Sequence, residues 1–198
     1  ARFRRQRVLI VDCGDVGQRA AHVLGAGDAF AGDAQASLAA TAGRGRVTLR
    51  ALTRHHEAEH LQHWRALGIT PLAGDLDDPA SLRRLGALAH WALHLAPPQA
   101  EGARDLRTLA LARVWLRAQG LRARRLAHRP PAQHRLNRLR WRHQHTALGA
   151  VVYGSTTGVY GDCQGAWVDE TRGPQPQSAR AGRRVAAERT LRALASQS

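Results

Sequence analysis

Apolar residues along this chain gather in five short runs, separated by stretches in which they recur at helical spacing. The first run, Arg7-Val8-Leu9-Ile10-Val11, is nearly continuous and β-branched, which predicts a strand buried on both faces. A turn containing Gly14 and Gly17 follows it. Val16, Ala20, Val23 and Leu24 then repeat with a helical period, so the opening reads strand, glycine turn, helix. Further strands are expected at Val47–Leu52, Gly68–Ala73, Trp91–Leu95 and Ala150–Tyr153. Helices are expected over His56–Leu67, Arg104–Ala118 and Ser178–Leu194. Another should open at Asp78, with Asp78 as its N-cap and Pro79 in its first position. Strands alternating with helices predict an α/β fold: a Rossmann-type, doubly wound parallel sheet with helices on both faces.

Two stretches break the alternation. Residues 25–46 are rich in Ala and Gly and are read as a helix extension plus a flexible insertion. Residues 121–146 are rich in Arg and His, hold Pro130-Pro131, and are read as an exposed insertion or basic arm. The whole of residues 1–198 is otherwise expected to form one domain, since 198 residues are short for two.

Composition adds limits rather than a function. At 43% hydrophobic the chain can fill a core. No apolar run reaches the ~20 residues of a membrane span, and the basic start runs into a strand without a cleavage site. No membrane association is therefore expected. Cys13 and Cys163 make neither a disulfide framework nor a four-ligand zinc site, which fits a reducing, cytoplasmic setting. No Met stands at position 1, which fits a chain whose true start lies upstream.

The formal charge is +15, and all 30 basic residues are Arg. Arg is spread along the whole chain and aromatics are only 5%, so no stacking platform for single strands is evident. Specific nucleic-acid binding is not expected; non-specific adhesion to polyanions is. Arg122, Arg124, Arg125, Arg135, Arg138, Arg140 and Arg142 could touch RNA or acidic partners, but they read first as a solvated arm, as do His143 and His145.

A dinucleotide fingerprint needs three glycines: one for the tight turn, one for close approach to the pyrophosphate, one for packing of helix on strand. In Asp12-Cys13-Gly14-Asp15-Val16-Gly17 the second and third are present, and Asp12 holds the first place. Asp tolerates unusual backbone angles, but its carboxylate would repel an anion there. Just past the second strand an acidic residue would bond a ribose 2′-hydroxyl, whereas an Arg accommodates a 2′-phosphate. Arg54 therefore favours NADP, with NAD still possible.

Beyond the turn, several ordered blocks carry a likeness: Val8–Gly17, Leu52-Thr53-Arg54, Gly74-Asp75-Leu76-Asp77-Asp78, Leu93–Pro98, and Tyr153–Asp162 with its Val159-Tyr160-Gly161. On these the chain resembles the extended and atypical short-chain dehydrogenase/reductases, the NAD(P)-dependent epimerase/dehydratase group, over most of residues 7–195. The resemblance implies that Gly14, Asp15, Val16 and Gly17 line the pyrophosphate. It places Asp75 and Leu76 beside the adenine, and Leu95, Ala96 and Pro97 along the way to the nicotinamide. Thr156 stands where the family has its catalytic Ser or Thr, four residues before Tyr160, and a hydroxyl there can hydrogen-bond a substrate oxygen. The family's acid, the Tyr of a Tyr-x-x-x-Lys pair, falls at Arg180, and the Lys at Arg184. Arg does not donate a proton near neutral pH. Tyr160 is a candidate substitute acid, although that Tyr is usually structural in the family. Members of the family continue into a substrate-binding part, so a chain truncated on its C-terminal side is expected.

His56-Glu57-Ala58-Glu59-His60 matches a zinc-peptidase pattern, with Glu57 as base and His63 as a further ligand. With 11 His in the chain and the match lying where cofactor selection is expected, a solvated helix start is the reading and no metal is expected. The Trp residues 64, 91, 115, 141 and 167 share no spacing and are assigned to packing. Three functions remain in order. The first is an NADP-preferring oxidoreductase or epimerase-like protein acting on a small molecule that the sequence does not identify. The second is a nucleotide-binding domain without turnover, and the third a polyanion binder acting through the Arg-rich stretch. Oligomeric state is left open.

Overall fold

A computed structural model of the chain describes residues 6–26, 47–54, 57–127 and 148–196. Among these residues there are five strands: β1 (Arg7–Val11), β2 (Thr48–Thr53), β3 (Ile69–Ala73), β4 (Trp91–His94) and β5 (Ala150–Tyr153). Four α-helices accompany them among the same residues: α1 (Asp15–Ala26), α2 (Ala58–Ala66), α3 (Leu106–Ala127) and α4 (Ala179–Ala195). Two 3-10 helices span Ser81–Ala87 and Thr157–Tyr160. The sheet is parallel throughout, in the order β3-β2-β1-β4-β5. This is the expected Rossmann-type α/β architecture, with the strand order reversing beside β1.

Alternation along β1 builds both layers. Leu9 and Val11 enter a core with Leu82, Leu85, Leu111, Trp115 and Leu194, brought by the first 3-10 helix, α3 and α4. Val8 and Ile10 enter the opposite core with Ala21, Leu49, Trp64 and Ile69, beneath α1 and α2. Each such aliphatic side chain stabilises the fold by roughly 1.5–3 kcal/mol. Trp64 and Trp115 are buried as packing residues, whereas Trp91 and Trp167 are exposed; Trp141 lies outside the described residues.

Several expectations are corrected. Asp78 does not cap an α-helix. Its carboxylate accepts from the Ala80 amide in a turn, and a 3-10 helix starts at Ser81. The same residues suit a tight turn, because an Asp carboxylate can accept from the amide two residues on; further along, Gly86 comes so close to α3 that a Cβ there would lie 2.7 Å from the Val114 carbonyl. The helix expected to stop at Ala118 runs on through Ala127, so the Arg-rich stretch begins as helix. Its remainder, with Arg135, Arg138, Arg140, Arg142, His143 and His145, lies outside the described residues, as does most of the 25–46 stretch. Finally, α1 does not bury Val16, Val23 and Leu24, which are exposed. It packs through Gly17 and Ala21 instead, because small residues let the helix lie close on β1.

Candidate functional site

The strands end nearly flush. Val11 pairs with Leu52 and His94, Thr53 with Ala73, and His94 with Tyr153. The segments after each strand, carrying Asp12–Gly17, Arg54, Asp75-Leu76, Leu95–Pro97 and Gly154–Thr156, therefore share one edge of the sheet. β1 and β4 are adjacent, with the Leu95 amide bonded to the Val11 carbonyl, and the chain leaves them for opposite faces of the sheet, to α1 and to α3, the switch point at which parallel α/β sheets bind ligands.

The turn after β1 keeps two of the three glycine functions. Asp12 has φ 69°, the left-handed conformation that a glycine would adopt freely and that Asp tolerates better than most residues. A Cβ at Gly17 would lie 2.8 Å from the Asp12 carbonyl oxygen and 3.3 Å from Ile10 Cγ2, so glycine is required for α1 to approach β1. A Cβ at Gly14 would meet nothing nearer than Asp12 Oδ1 at 3.9 Å. Protein packing does not require glycine there, and its backbone lies open. The first bond of α1 runs from the Gln18 amide to the Gly14 carbonyl. The Asp15, Val16 and Gly17 amides precede that ladder and offer N–H groups at the helix's positive end. Asp15 pairs with Arg19 at 3.1 Å, whereas Asp12 has no ion pair among the described residues. Burial, with Asp12 adding to it, pushes the Cys13 thiol up to about 11, which disfavours the thiolate, and the side chain packs in the core beside Ile10 and Ala21.

In the loop after β3, Asp75 is held in a turn: its amide donates to Ser81 Oγ, and its carboxylate accepts from the Asp77 amide. Leu76 packs against the core. Arg54 is 60% exposed and lies 3.9 Å from Asp77. Arg107, from the first turn of α3, holds both Asp77 oxygens, at 2.7 and 2.6 Å, and donates to the Pro97 carbonyl at 3.1 Å. These charge-assisted bonds keep the Asp77 carboxyl below its ordinary range. Arg107 thus ties the loop after β3 to the loop after β4.

Arg184, in the place of the family's Lys, is buried and donates to the Ala96 and Gly154 carbonyls and the Tyr153 hydroxyl, at 3.3, 2.8 and 2.9 Å. Its guanidinium joins the ends of β4 and β5. Arg180, in the place of the Tyr, is exposed. Nearby a buried chain runs His94 Nε2–Thr108 Oγ1 (2.8 Å) and Thr108 Oγ1–Asp105 Oδ2 (2.7 Å). Thr108 has one hydroxyl proton. Because it goes to Asp105, His94 must donate from Nε2, which leaves Nδ1 as a buried acceptor with no hydrogen-bond partner among the described residues. Burial lowers the His94 pKa to about 4 and keeps the ring neutral, with Asp105 opposing and Arg184 adding to the shift.

Thr156 is exposed, and its Oγ1 accepts from the Gly158 amide, capping the second 3-10 helix. Tyr160 is half-buried and lines a cleft of about 500 Å³ with Tyr153, Ser155, Glu188 and Leu191, beside β5. In the peptidase-like pattern, His56 lies outside the described residues. Glu57 precedes α2, and His60 packs its ring on Trp64 at 4.8 Å. Among the described residues no group of His, Cys, Asp and Glu is placed to hold a metal ion, and no helix is long and apolar enough to cross a membrane. Arg107 and the His94–Thr108–Asp105 chain escaped the sequence reading. Nothing local marks them: a first-turn Arg among thirty, and a His inside a strand.

No family model matches the chain, and no curated protein matches it. Solved structures do. The UDP-Glc/GlcNAc 4-epimerase of Campylobacter jejuni superposes with a TM-score of 0.63 at 13% identity, over 97% of this chain and 50% of that one. A variant UDP-glucuronic acid 4-epimerase of Bacillus cereus, solved with a UDP-sugar analogue and NAD, gives 0.57 at 13% identity, over 96% and 52%. NmrA, a negative transcriptional regulator solved with NADP, gives 0.53 at 17% identity, over 96% and 42%. At these identities the likeness is one of fold. The chain spans about half the length of the solved structures it matches.

Proposed function

We propose that this chain binds a nicotinamide dinucleotide, NADP in preference to NAD, at the switch point between β1 and β4, as the nucleotide-binding part of a short-chain dehydrogenase/reductase-like oxidoreductase or epimerase. The observation that carries this is the turn after β1, where the Gly14 backbone lies open and three amides precede the α1 ladder. Similar folds solved with NAD and with NADP support it. Gly14, Asp15, Val16 and Gly17 would hold the pyrophosphate, Asp75 and Leu76 the adenine, Arg54 the 2′-phosphate, and Leu95, Ala96 and Pro97 the path to the nicotinamide. Such a cofactor supplies hydride transfer when bound.

For chemistry, Thr156 would orient a substrate oxygen through its exposed hydroxyl. Neither Arg180 nor Arg184 can serve as the acid beside it, and Arg184 is bonded to Ala96 and Gly154. That observation favours a second reading, nucleotide binding without turnover. Calorimetric titration with NADPH and NADH tests the nucleotide site; binding of neither at millimolar concentration overturns it. Arg54→Ala should weaken NADPH by about 3- to 10-fold while NADH changes little, the size of an exposed charge–phosphate contact. NADPH oxidation with any carbonyl substrate, abolished by Thr156→Ala, would exclude the second reading.

A further inference from the structure

We infer that Arg107 sets the preference for a 2′-phosphate without touching it, by neutralising Asp77 and so leaving Arg54 available to the ligand. The inference rests on the nucleotide reading above and concerns the regulation of that same site. Arg54, Asp77 and Arg107 form a row, with the carboxylate between two guanidinium groups. The row is unequal. Arg107 takes both Asp77 oxygens at hydrogen-bond distance, 2.7 and 2.6 Å, while Arg54 stands off at 3.9 Å. The exposures match: the Arg107 side chain is 19% exposed and the Arg54 side chain 60%. The Asp77 carboxylate faces two cations, and Asp105 and Asp75 act on Arg107 as well, so the positive charge that Asp77 leaves uncompensated sits on the exposed member, Arg54.

Without Arg107, Arg54 is the cation left facing Asp77. Asp77, facing Arg54 already, would close on it, and the row would present no net charge to a phosphate. The lone carboxylate would also repel a 2′-phosphate directly. The Arg107 bond to the Pro97 carbonyl fixes its guanidinium from a second side, which holds the arrangement in place before any ligand arrives. Arg107 is thus a positioning residue. Its side chain comes from α3, while the residue it frees follows β2.

The test uses the full chain with R107Q, D77N and the double variant R107Q/D77N, titrated with NADPH and NADH. Adenosine 2′,5′-bisphosphate and adenosine 5′-monophosphate serve as probes of the adenosine end alone. A doubly charged phosphate at exposed range predicts that R107Q lowers the NADPH-to-NADH preference by about tenfold. D77N alone should raise NADPH affinity by about threefold with NADH unchanged. The double variant should regain the wild-type preference, which a merely structural role for Arg107 would not produce. Equal losses for both cofactors in R107Q, with no recovery in the double variant, would overturn the inference. Should R107Q fail to fold, D77N decides alone: unchanged affinity for the bisphosphate over the monophosphate refutes it. Wild-type protein binding none of the four nucleotides would remove the nucleotide reading itself. Wild-type binding without a preference for the 2′-phosphate would refute only the roles of Arg54 and Arg107.

Discussion

Replacing Asp12 should tighten nucleotide binding, an unusual direction for a substitution in a binding turn. The Asp12 carboxylate lies 3.9 Å from the point where a Gly14 Cβ would sit, so it overlooks the cradle proposed for the pyrophosphate. A phosphate oxygen resting against Gly14 would come within about 5 Å of that carboxylate. At this distance, with an effective dielectric of about 40–80, like charges repel by about 1–2 kcal/mol, or roughly 5- to 30-fold in affinity. Asp12→Asn removes the charge and keeps a residue that tolerates φ 69°. Asp12→Gly also relieves the left-handed backbone, by roughly 1 kcal/mol, but loosens the unfolded chain by a similar amount, so stability should change little. The assay is calorimetric titration with NADPH at about 0.02 M and about 1 M salt, where the screening length shrinks from roughly 20 Å to about 3 Å. Both variants should bind more tightly than wild type at low salt, and the gain should fade at high salt. If Asp12→Asn leaves low-salt affinity unchanged while wild type binds, the carboxylate does not face the phosphate and the placement of the cradle is wrong.

Gly17→Ala should cost about 1–3 kcal/mol in urea unfolding, because its Cβ would press on the Asp12 carbonyl at 2.8 Å and push α1 away from β1. Nucleotide affinity should fall with it, as the α1 amides move; unchanged stability would refute the close contact. Trp115→Ala, at a fully buried position, should lower stability by about 3–5 kcal/mol. The His94 pKa falls from 6.5 in the open chain to about 4 in the fold, so the unfolded state binds more protons between those values. Stability should therefore be full above about pH 6.5 and decline as pH drops toward 4. His94→Gln should flatten that decline in pH-dependent unfolding, and an unaltered acid limb would show that other groups set it.

The features that local pattern controls were legible without coordinates. A buried parallel strand must be apolar on both faces, so β1 shows as Val8-Leu9-Ile10-Val11, and the glycines of the turn sit at the spacing that close helix packing demands. Patterns with two physical solutions were misread. Asp78-Pro79 suits both a helix start and a tight turn, and the fold has the turn, with a 3-10 helix beginning at Ser81. The apolar spacing of Val16, Val23 and Leu24 suited a helix face, yet close packing through Gly17 and Ala21 decided which side of α1 is buried.

By itself, then, the sequence determined the alternation of strands and helices, the glycine turn with Asp12 in its first place, and Arg54 past the second strand. All of these depend on neighbours within a turn or two of chain. Only the tertiary structure decided which other Arg side chains, of thirty in the chain, tie together the loops at the strand ends. Arg107 meets Asp77 across 30 residues, and Arg184 meets Ala96 across 88. Guanidinium pairing carries no periodicity and leaves no trace in local spacing. It is settled only when parallel strands of matched length bring their ends to one edge of the sheet.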